Sequence, residues 1–320
     1  MKKILVAVPV EERHKEYLET QVQGAREEFV FVYKELDKLT QEDLADANIV
    51  LGAVPPRLLS GAGKLEWLQL SSAGADNYLK PGILGEQVYL TNSVGAYGLT
   101  VSEHMLAVTF ALIRRLNQYA RNQAAHVWKQ MGTVISVENS TVLVLGMGDI
   151  GGSYARKMKA LGAYVIGIRK TDREKPTYVD EQYTMEALEE VIGRADIVAM
   201  VLPGGEDTAH LMDEAMLRRM KKGSFLINDG RGNAVDLVAL KRVLDEGHLA
   251  GAALDVTEPE PLPAEDSLWD YENVILTPHI AGQLLLAETR ERVIRIAGEN
   301  LRCFAQGEAL THVVKRDRGY

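Results

Sequence analysis

Short apolar runs alternate with longer polar stretches along the whole chain. In the first third, five apolar runs are separated by polar stretches such as Glu12–Gln23 and Gln41–Ala47. The five runs are Ile4–Val8, Phe29–Tyr33, Ile49–Leu51, Trp67–Leu70 and Val88–Leu90. Apolar runs separated by helix-length polar segments predict parallel strands joined by crossover helices. This part of the chain is therefore predicted to form an α/β unit.

A second series of apolar runs follows in the remainder of the chain. Its members are Thr141–Leu145, Ala163–Ile168, Ile197–Leu202, Ser224–Asn228, Ala250–Leu254 and Val274–Leu276. These runs are mostly continuous rather than alternating, which is typical of strands that are buried on both faces of a parallel sheet. We therefore predict a second α/β unit.

The stretch Thr100–Ile113 connects the two series and is almost wholly apolar. Thr100 and Glu103 have the spacing of a capping box, which predicts that a helix begins there. A helix that is apolar all round is expected to be buried on all sides. It could be a linker helix in the core, or it could also pack on a second subunit; both interpretations stay open.

Gly146, Gly148 and Gly151 form a G-x-G-x-x-G pattern directly after the apolar run Thr141–Leu145. The pattern predicts a tight turn, a close approach of the backbone to a pyrophosphate, and close packing of the following helix. The amides at the start of that helix would bind the phosphates. We therefore predict a dinucleotide site.

The position that reads the adenosine ribose follows the next run, Ala163–Ile168. An NAD site usually has Asp or Glu there, whereas this chain has Arg169 and Lys170. A guanidinium pairs well with a 2′-phosphate but cannot accept from a hydroxyl. NADP(H) is the expected cofactor, and NAD(H) stays possible because Asp172 or Glu174 could supply the acidic group.

Three charged side chains follow the later apolar runs. Arg231 lies between two glycines, Glu260 lies between two prolines, and His279 follows a proline. Ligands of open α/β sheets bind at the carboxyl ends of the strands. An arginine there can bind a carboxylate or carbonyl, and a histidine can exchange a proton near neutral pH. Taken singly, each could equally be a surface or loop residue.

Composition excludes several classes of protein. The chain has 320 residues and a net charge of −9, which disfavours nucleic-acid and anionic-membrane partners. No apolar run is long enough to span a membrane. Cys303 is the only cysteine, which suits a cytoplasmic location. The sequence has no H-E-x-x-H motif and no cysteine cluster, so no metal is expected.

These motifs, in this order, resemble the D-isomer-specific 2-hydroxyacid dehydrogenases over essentially the whole length. In its cofactor motif the chain is closest to the NADPH-preferring glyoxylate/hydroxypyruvate reductases, because NAD-using members carry an acidic residue where Arg169 stands. The motifs that carry the resemblance are Ser71–Asp76, Leu145–Gly151, Asp229–Gly232, Ala250–Val256, Glu260–Pro263 and Thr277–Gly282.

The resemblance implies an α/β fold of two doubly wound parallel-sheet domains. A Rossmann-type NAD(P)-binding domain, residues 99–285, would be inserted into a flavodoxin-like substrate domain, residues 1–98 plus 286–320. The implied activity is NAD(P)-dependent reduction of a small 2-keto acid to the D-2-hydroxy acid. Its catalytic residues fall on Arg231, Glu260 and His279, with His279 as the general acid/base.

The resemblance also assigns binding residues. The backbone amides of Ala73 and Gly74, together with Arg231, would bind the substrate carboxylate. The glycine pattern and Arg169 are joined in the expected cofactor site by Asp149, Ile150, Lys170, Leu202, Asp229, Gly230, Asp255 and Gly282.

Two other functions stay open for the sequence. One is a non-catalytic, dinucleotide-sensing protein on the same fold, since a fold alone does not establish a function. The other is an enzyme that resembles phosphoglycerate dehydrogenase. A homodimer is expected, because one subunit would not fully cover the apolar helix Thr100–Ile113.

Overall fold

The computed structural model describes residues 1–316, which form twelve β-strands and nine α-helices. The strands are β1 Lys2–Val6, β2 Phe29–Tyr33, β3 Ile49–Leu51, β4 Trp67–Gln69, β5 Tyr89–Thr91, β6 Thr141–Leu145, β7 Tyr164–Arg169, β8 Glu181–Thr184, β9 Ile197–Met200, β10 Phe225–Asn228, β11 Gly251–Leu254 and β12 Val274–Leu276. The helices are α1 Glu12–Thr20, α2 Gln41–Ala45, α3 Gly98–Ile113, α4 Leu116–Ala124, α5 Asp149–Ala160, α6 Leu188–Val191, α7 Glu214–Arg219, α8 Leu237–Asp245 and α9 Ala287–Gln306. In this part of the chain, no helix has the length and apolar character that a membrane crossing needs.

The chain divides into two compact units. Unit 1 contains Met1–Tyr97 and residues 284–316, and unit 2 is Gly98–Gln283. Unit 1 has a five-stranded sheet in the order β2-β1-β3-β4-β5, and unit 2 has a seven-stranded sheet in the order β12-β11-β10-β9-β6-β7-β8. All strand pairs in both sheets are parallel. The predicted α/β fold with two parallel sheets is confirmed.

The strands of unit 1 bury side chains on both faces of their sheet. Leu5 and Leu68 belong to one apolar cluster, whereas Ile4 and Trp67 belong to another. Neighbouring residues of a strand point to opposite faces, so two cores require a strand that is apolar throughout. Helix α9 contributes Leu301 to the second core, which ties the C-terminal part of the chain to this unit.

Helix α3 begins earlier than predicted and is only partly buried. It begins at Gly98, whose N–H donates to the Asp149 carboxylate at 2.7 Å. The capping box predicted at Thr100 is wrong, because Thr100 lies inside the helix and its hydroxyl donates to the Ala281 carbonyl. The predicted burial on all sides is also wrong, since Phe110 is 37% exposed.

Strand boundaries and one strand differ from the sequence expectation. Strand β1 ends at Val6 rather than Val8, and β5 is shifted to Tyr89–Thr91. Strand β8 was not predicted, because its sequence Glu-Gln-Tyr-Thr has no apolar run. It lies at the sheet edge and pairs only with β7, so burial does not demand apolar residues there.

The glycine turn between β6 and α5 depends on two close backbone approaches. Gly146 has φ +98°, which L side chains rarely adopt, and a Cβ there would lie 2.7 Å from the Val201 carbonyl oxygen. A Cβ on Gly151 would lie 1.9 Å from the Gly146 carbonyl oxygen. Gly148 differs, because its φ is −82° and nothing lies within 4 Å of its Cβ position. The fold therefore requires glycine at positions 146 and 151. Gly148 is not required for packing, and its lack of a side chain leaves the start of α5 open to solvent.

This difference predicts opposite effects of two alanine substitutions. Gly151→Ala forces a side chain against backbone and should destabilise the protein by about 1–3 kcal/mol. Gly148→Ala should leave the melting temperature near wild type but weaken dinucleotide binding, because the methyl group occupies the approach to the helix amides. Thermal unfolding and dinucleotide titration of both variants would check this. A stable Gly151→Ala variant, or Gly148→Ala with unchanged dinucleotide affinity, would contradict it.

Candidate active site

The dinucleotide turn opens directly onto the start of α5. Gly148 is the N-cap residue of this helix and is exposed, so the first amides of α5 have room for a ligand. The partial positive charge at a helix N-terminus favours phosphate groups. The Asp149 side chain is bonded to the first amide of α3, so its carboxylate serves to hold that helix. Ile150 follows in the first turn of α5.

The two cationic residues at the end of β7 have different surroundings. Arg169 is the last residue of the strand, and no hydrogen bond or ion pair holds its guanidinium within residues 1–316. Lys170 pairs with Asp207 at 3.2 Å, and both side chains are largely exposed. Asp172 and Glu174 lie in the exposed loop beyond the strand. The Arg169 guanidinium is thus not engaged by the described part of the chain, at the position predicted to read the adenosine ribose.

His279 and Glu260 form a direct pair in unit 2. The His279 Nδ1 atom lies 2.6 Å from Glu260 Oε1, and the two side chains are 49% and 43% exposed. An ionised carboxylate only accepts hydrogen bonds, so Nδ1 must carry the hydrogen of this pair. The other ring nitrogen, Nε2, is then the atom that can exchange a proton with a ligand. The pair has the arrangement of an oriented acid/base.

The backbone that carries His279 is bonded to Asp255, which follows β11. The Asp255 carbonyl accepts from the His279 N–H at 2.8 Å. Its carboxylate accepts from the amides of Ile280 and Ala281 and from the Thr277 hydroxyl, at 2.9, 3.1 and 2.6 Å. His279 itself has φ +50°, a left-handed conformation that costs free energy for a non-glycine residue. Asp255 therefore fixes the His279 loop, a task that the sequence did not indicate. Gly282 follows in the same turn.

Arg231 follows β10 in a loop whose backbone is bonded to Asn228. The Asn228 side chain donates to the Arg231 carbonyl at 2.9 Å and accepts from the Gly230 N–H at 3.1 Å. A Cβ on Gly230 would lie 2.8 Å from the amide nitrogen of Leu202, which follows β9. The structure therefore brings together Gly230 and Leu202, two of the expected cofactor residues.

A buried acid lies beside this loop. The Asp229 side chain is 1% exposed, and within residues 1–316 its Oδ1 atom has no hydrogen-bond partner. Burial, and then the nearby charge of Asp255, raise the pKa of the Asp229 carboxyl well above its ordinary value. His104 on α3 lies 3.8 Å from Asp229, and burial lowers the pKa of its imidazole. Sequence analysis missed His104, which gave no signal beyond being a histidine in an apolar helix.

The predicted carboxylate loop lies in unit 1, after β4. Ala73 and Gly74 are partly exposed, and their N–H groups donate to no acceptor within the described chain. In the same part of the chain, no group of three or more His, Cys, Asp or Glu side chains is arranged to hold a metal ion.

The chain is similar to proteins of one known family. Residues 106–281 match the profile described as D-isomer specific 2-hydroxyacid dehydrogenase, NAD binding domain. A glyoxylate reductase of Korarchaeum cryptofilum is 33% identical over 84% of this chain and 82% of its own length.

Two solved structures share the whole fold. A D-isomer specific 2-hydroxyacid dehydrogenase family protein from Aeromonas salmonicida is 29% identical, with a TM-score of 0.85 over 99% of both chains. An NADPH-dependent glyoxylate/hydroxypyruvate reductase from Sinorhizobium meliloti, solved with NADP and sulfate, is 27% identical, with a TM-score of 0.81 over 100% of both chains. The profile match covers more than half of the chain, and the chain therefore belongs to the D-isomer-specific 2-hydroxyacid dehydrogenase family, whose members are NAD(P)-dependent oxidoreductases.

Proposed function

We propose that this enzyme reduces small 2-keto acids such as glyoxylate or hydroxypyruvate, that it prefers NADPH, and that His279 is its general acid. The observation that carries the proposal is the 2.6 Å contact of His279 with Glu260, which leaves Nε2 for the substrate. The relatives named as glyoxylate reductases support the substrate class. The open start of α5 and the available Arg169 fit the dinucleotide.

Each residue has a distinct task in the proposed reaction. The nicotinamide, when bound, supplies the hydride that reduces the carbonyl carbon. His279 Nε2 donates a proton to the carbonyl oxygen, and Glu260 orients the imidazolium that gives up this proton. Arg231 polarises that oxygen, where negative charge develops. The amides of Ala73 and Gly74 bind the substrate carboxylate.

A 2-keto acid panel tested with NADPH and with NADH is the experiment that tests this function. The panel contains glyoxylate, hydroxypyruvate and 3-phosphohydroxypyruvate, so that a phosphorylated substrate would be recognised. Absence of turnover with every member would contradict the proposal and favour a dinucleotide-sensing protein.

His279→Ala should lower kcat by about 10²–10⁴-fold, because the proton donor is lost. Glu260→Gln keeps a side chain of the same size beside His279 but removes its negative charge. The kcat of this variant should therefore fall by less than that of His279→Ala. NADPH affinity, measured by fluorescence titration, should stay unchanged in both variants. Turnover of His279→Ala near the wild-type rate would show that another group supplies the proton.

Arg169→Asp should move the cofactor preference towards NADH. We expect the wild type to prefer NADPH by about 10–100-fold in kcat/KM, since a charge-assisted hydrogen bond to the 2′-phosphate is partly screened by solvent. The carboxylate of the variant would repel that phosphate and accept from the ribose hydroxyls. Arg173→Asp, with the same change of charge in an exposed loop, is the matched control. Wild-type preference for NADH would mean that another acidic residue reads the ribose.

We further infer a cytoplasmic homodimer. Phe110 on α3, Leu116 on α4 and the fully exposed Trp128 beyond α4 present apolar surface that a second copy would cover. Light scattering at micromolar concentration should give about twice the chain mass of 35.3 kDa. Trp128→Ser should weaken the association, whereas Trp269→Ser, which removes another exposed tryptophan, should not. A monomeric wild type would reject the proposal.

A further inference from the structure

The Ser71–Ala75 loop has all of its carbonyl groups engaged by the protein. Tyr97, Ser93, Asn92, Ser72 and Tyr78 donate, in that order, to the carbonyls of Ser71, Ser72, Ala73, Gly74 and Ala75. The amides of Ala73 and Gly74, in contrast, find no acceptor among residues 1–316. A peptide group whose carbonyl is held by the protein has its N–H directed the opposite way. The loop is therefore built to offer amides, which suits an anion.

Asn92 is the side chain that holds the carbonyl of Ala73. Its Nδ2 donates to that oxygen at 2.9 Å, and its Oδ1 accepts from the Val94 N–H at 3.3 Å. The reverse orientation of the side-chain amide would place oxygen against oxygen and donor against donor, so these partners determine the orientation. Asn92 is only 3% exposed, so it cannot exchange either contact for water.

The backbone of Asn92 is itself tied to rigid parts of unit 1. It directly follows β5, and its N–H donates to the His312 carbonyl at 3.1 Å. The backbone of the neighbouring Thr91 forms a bridge with Val313, and this bridge does not involve the threonine hydroxyl. A side chain that projects from a fixed strand end can hold a loop in one position.

We infer that Asn92 is a positioning residue for carboxylate binding, acting by holding the Ala73 peptide so that the loop amides remain directed at the substrate anion. This inference rests on the proposed role of Ala73 and Gly74. Asn92 touches neither substrate nor cofactor in this scheme. Its loss should therefore weaken the binding of a carboxylate much more than it slows the chemical step.

The probe is oxalate, a small dicarboxylate. It has no ketone or aldehyde group that the enzyme could reduce. Its affinity for the NADP⁺-loaded enzyme is measured by calorimetry, independently of turnover. Asn92→Ala should weaken oxalate binding by about 10-fold or more, because a buried hydrogen bond that orients the loop is lost. KM for glyoxylate should rise by a similar factor while kcat changes by less than about 3-fold. NADPH affinity should stay unchanged.

Two further variants separate positioning from general loss of structure. Thr91→Val removes two buried hydrogen bonds next to Asn92 but touches no atom of the loop. It should lower the melting temperature and leave oxalate affinity within about 2-fold of wild type. Asn92→Asp keeps the size and the acceptor for Val94, but it places a carboxylate oxygen against the Ala73 carbonyl. It should therefore weaken oxalate binding at least as much as Asn92→Ala.

The outcomes distinguish this inference from the proposed function. Oxalate binding by Asn92→Ala and Asn92→Asp that equals wild type would overturn the inference, as would an equal loss in Thr91→Val. A wild type that binds no oxalate would overturn it too. A wild type that binds oxalate through Asn92 but reduces no 2-keto acid would support the inference and contradict the proposed activity.

Discussion

Seven strands that all run the same way place their carboxyl ends along one edge of the sheet in unit 2. The glycine turn follows β6, Arg169 ends β7, Arg231 follows β10 and Asp255 follows β11. These groups are far apart in the sequence, and the parallel arrangement alone gathers their strand ends. The sheet can be parallel because both of its faces are buried, which is why its strands other than the edge strand β8 are mostly apolar.

Carboxylates do most of the positioning in unit 2. The Asp149 carboxylate holds the first amide of α3, and the Asp255 carboxylate holds three donors of the His279 loop. The many donors to Asp255 compensate the desolvation of its charge, whereas Asp229 nearby has an oxygen without a partner in the described chain. A raised pKa is the expected response of such a group, because the neutral acid is cheaper to bury than the ion.

Unit 1 achieves its positioning with neutral groups. Gln69, Thr91 and Asn300 are almost fully buried and satisfy one another's hydrogen bonds beside the strand ends. Next to this network, Asn92 holds the Ser71–Ala75 loop. A neutral network avoids a fixed negative charge close to amides that are proposed to bind an anion. The His279 loop of unit 2 is thus held by a carboxylate, whereas the Ser71–Ala75 loop of unit 1 is held by the neutral side chain of Asn92.

The sequence by itself determined the α/β class, the parallel sheets, the dinucleotide turn and the family. These properties follow from local patterns: apolar runs of strand length, glycines at required spacings, and residues next to them in the chain. It did not determine where α3 begins, because the Asp149 carboxylate that binds the Gly98 amide comes from a distant segment. It also did not reveal the polar strand β8, whose partner is supplied by the sheet edge.

Tertiary structure likewise decided which groups support the site. The sequence indicated Glu260 and His279 but not that their side chains pair, and it did not indicate that Asp255 holds the His279 loop. Asn92 and His104 carried no signal in the sequence. Their positions depend on hydrogen bonds and burial that bring together residues distant along the chain, and no local pattern encodes such contacts.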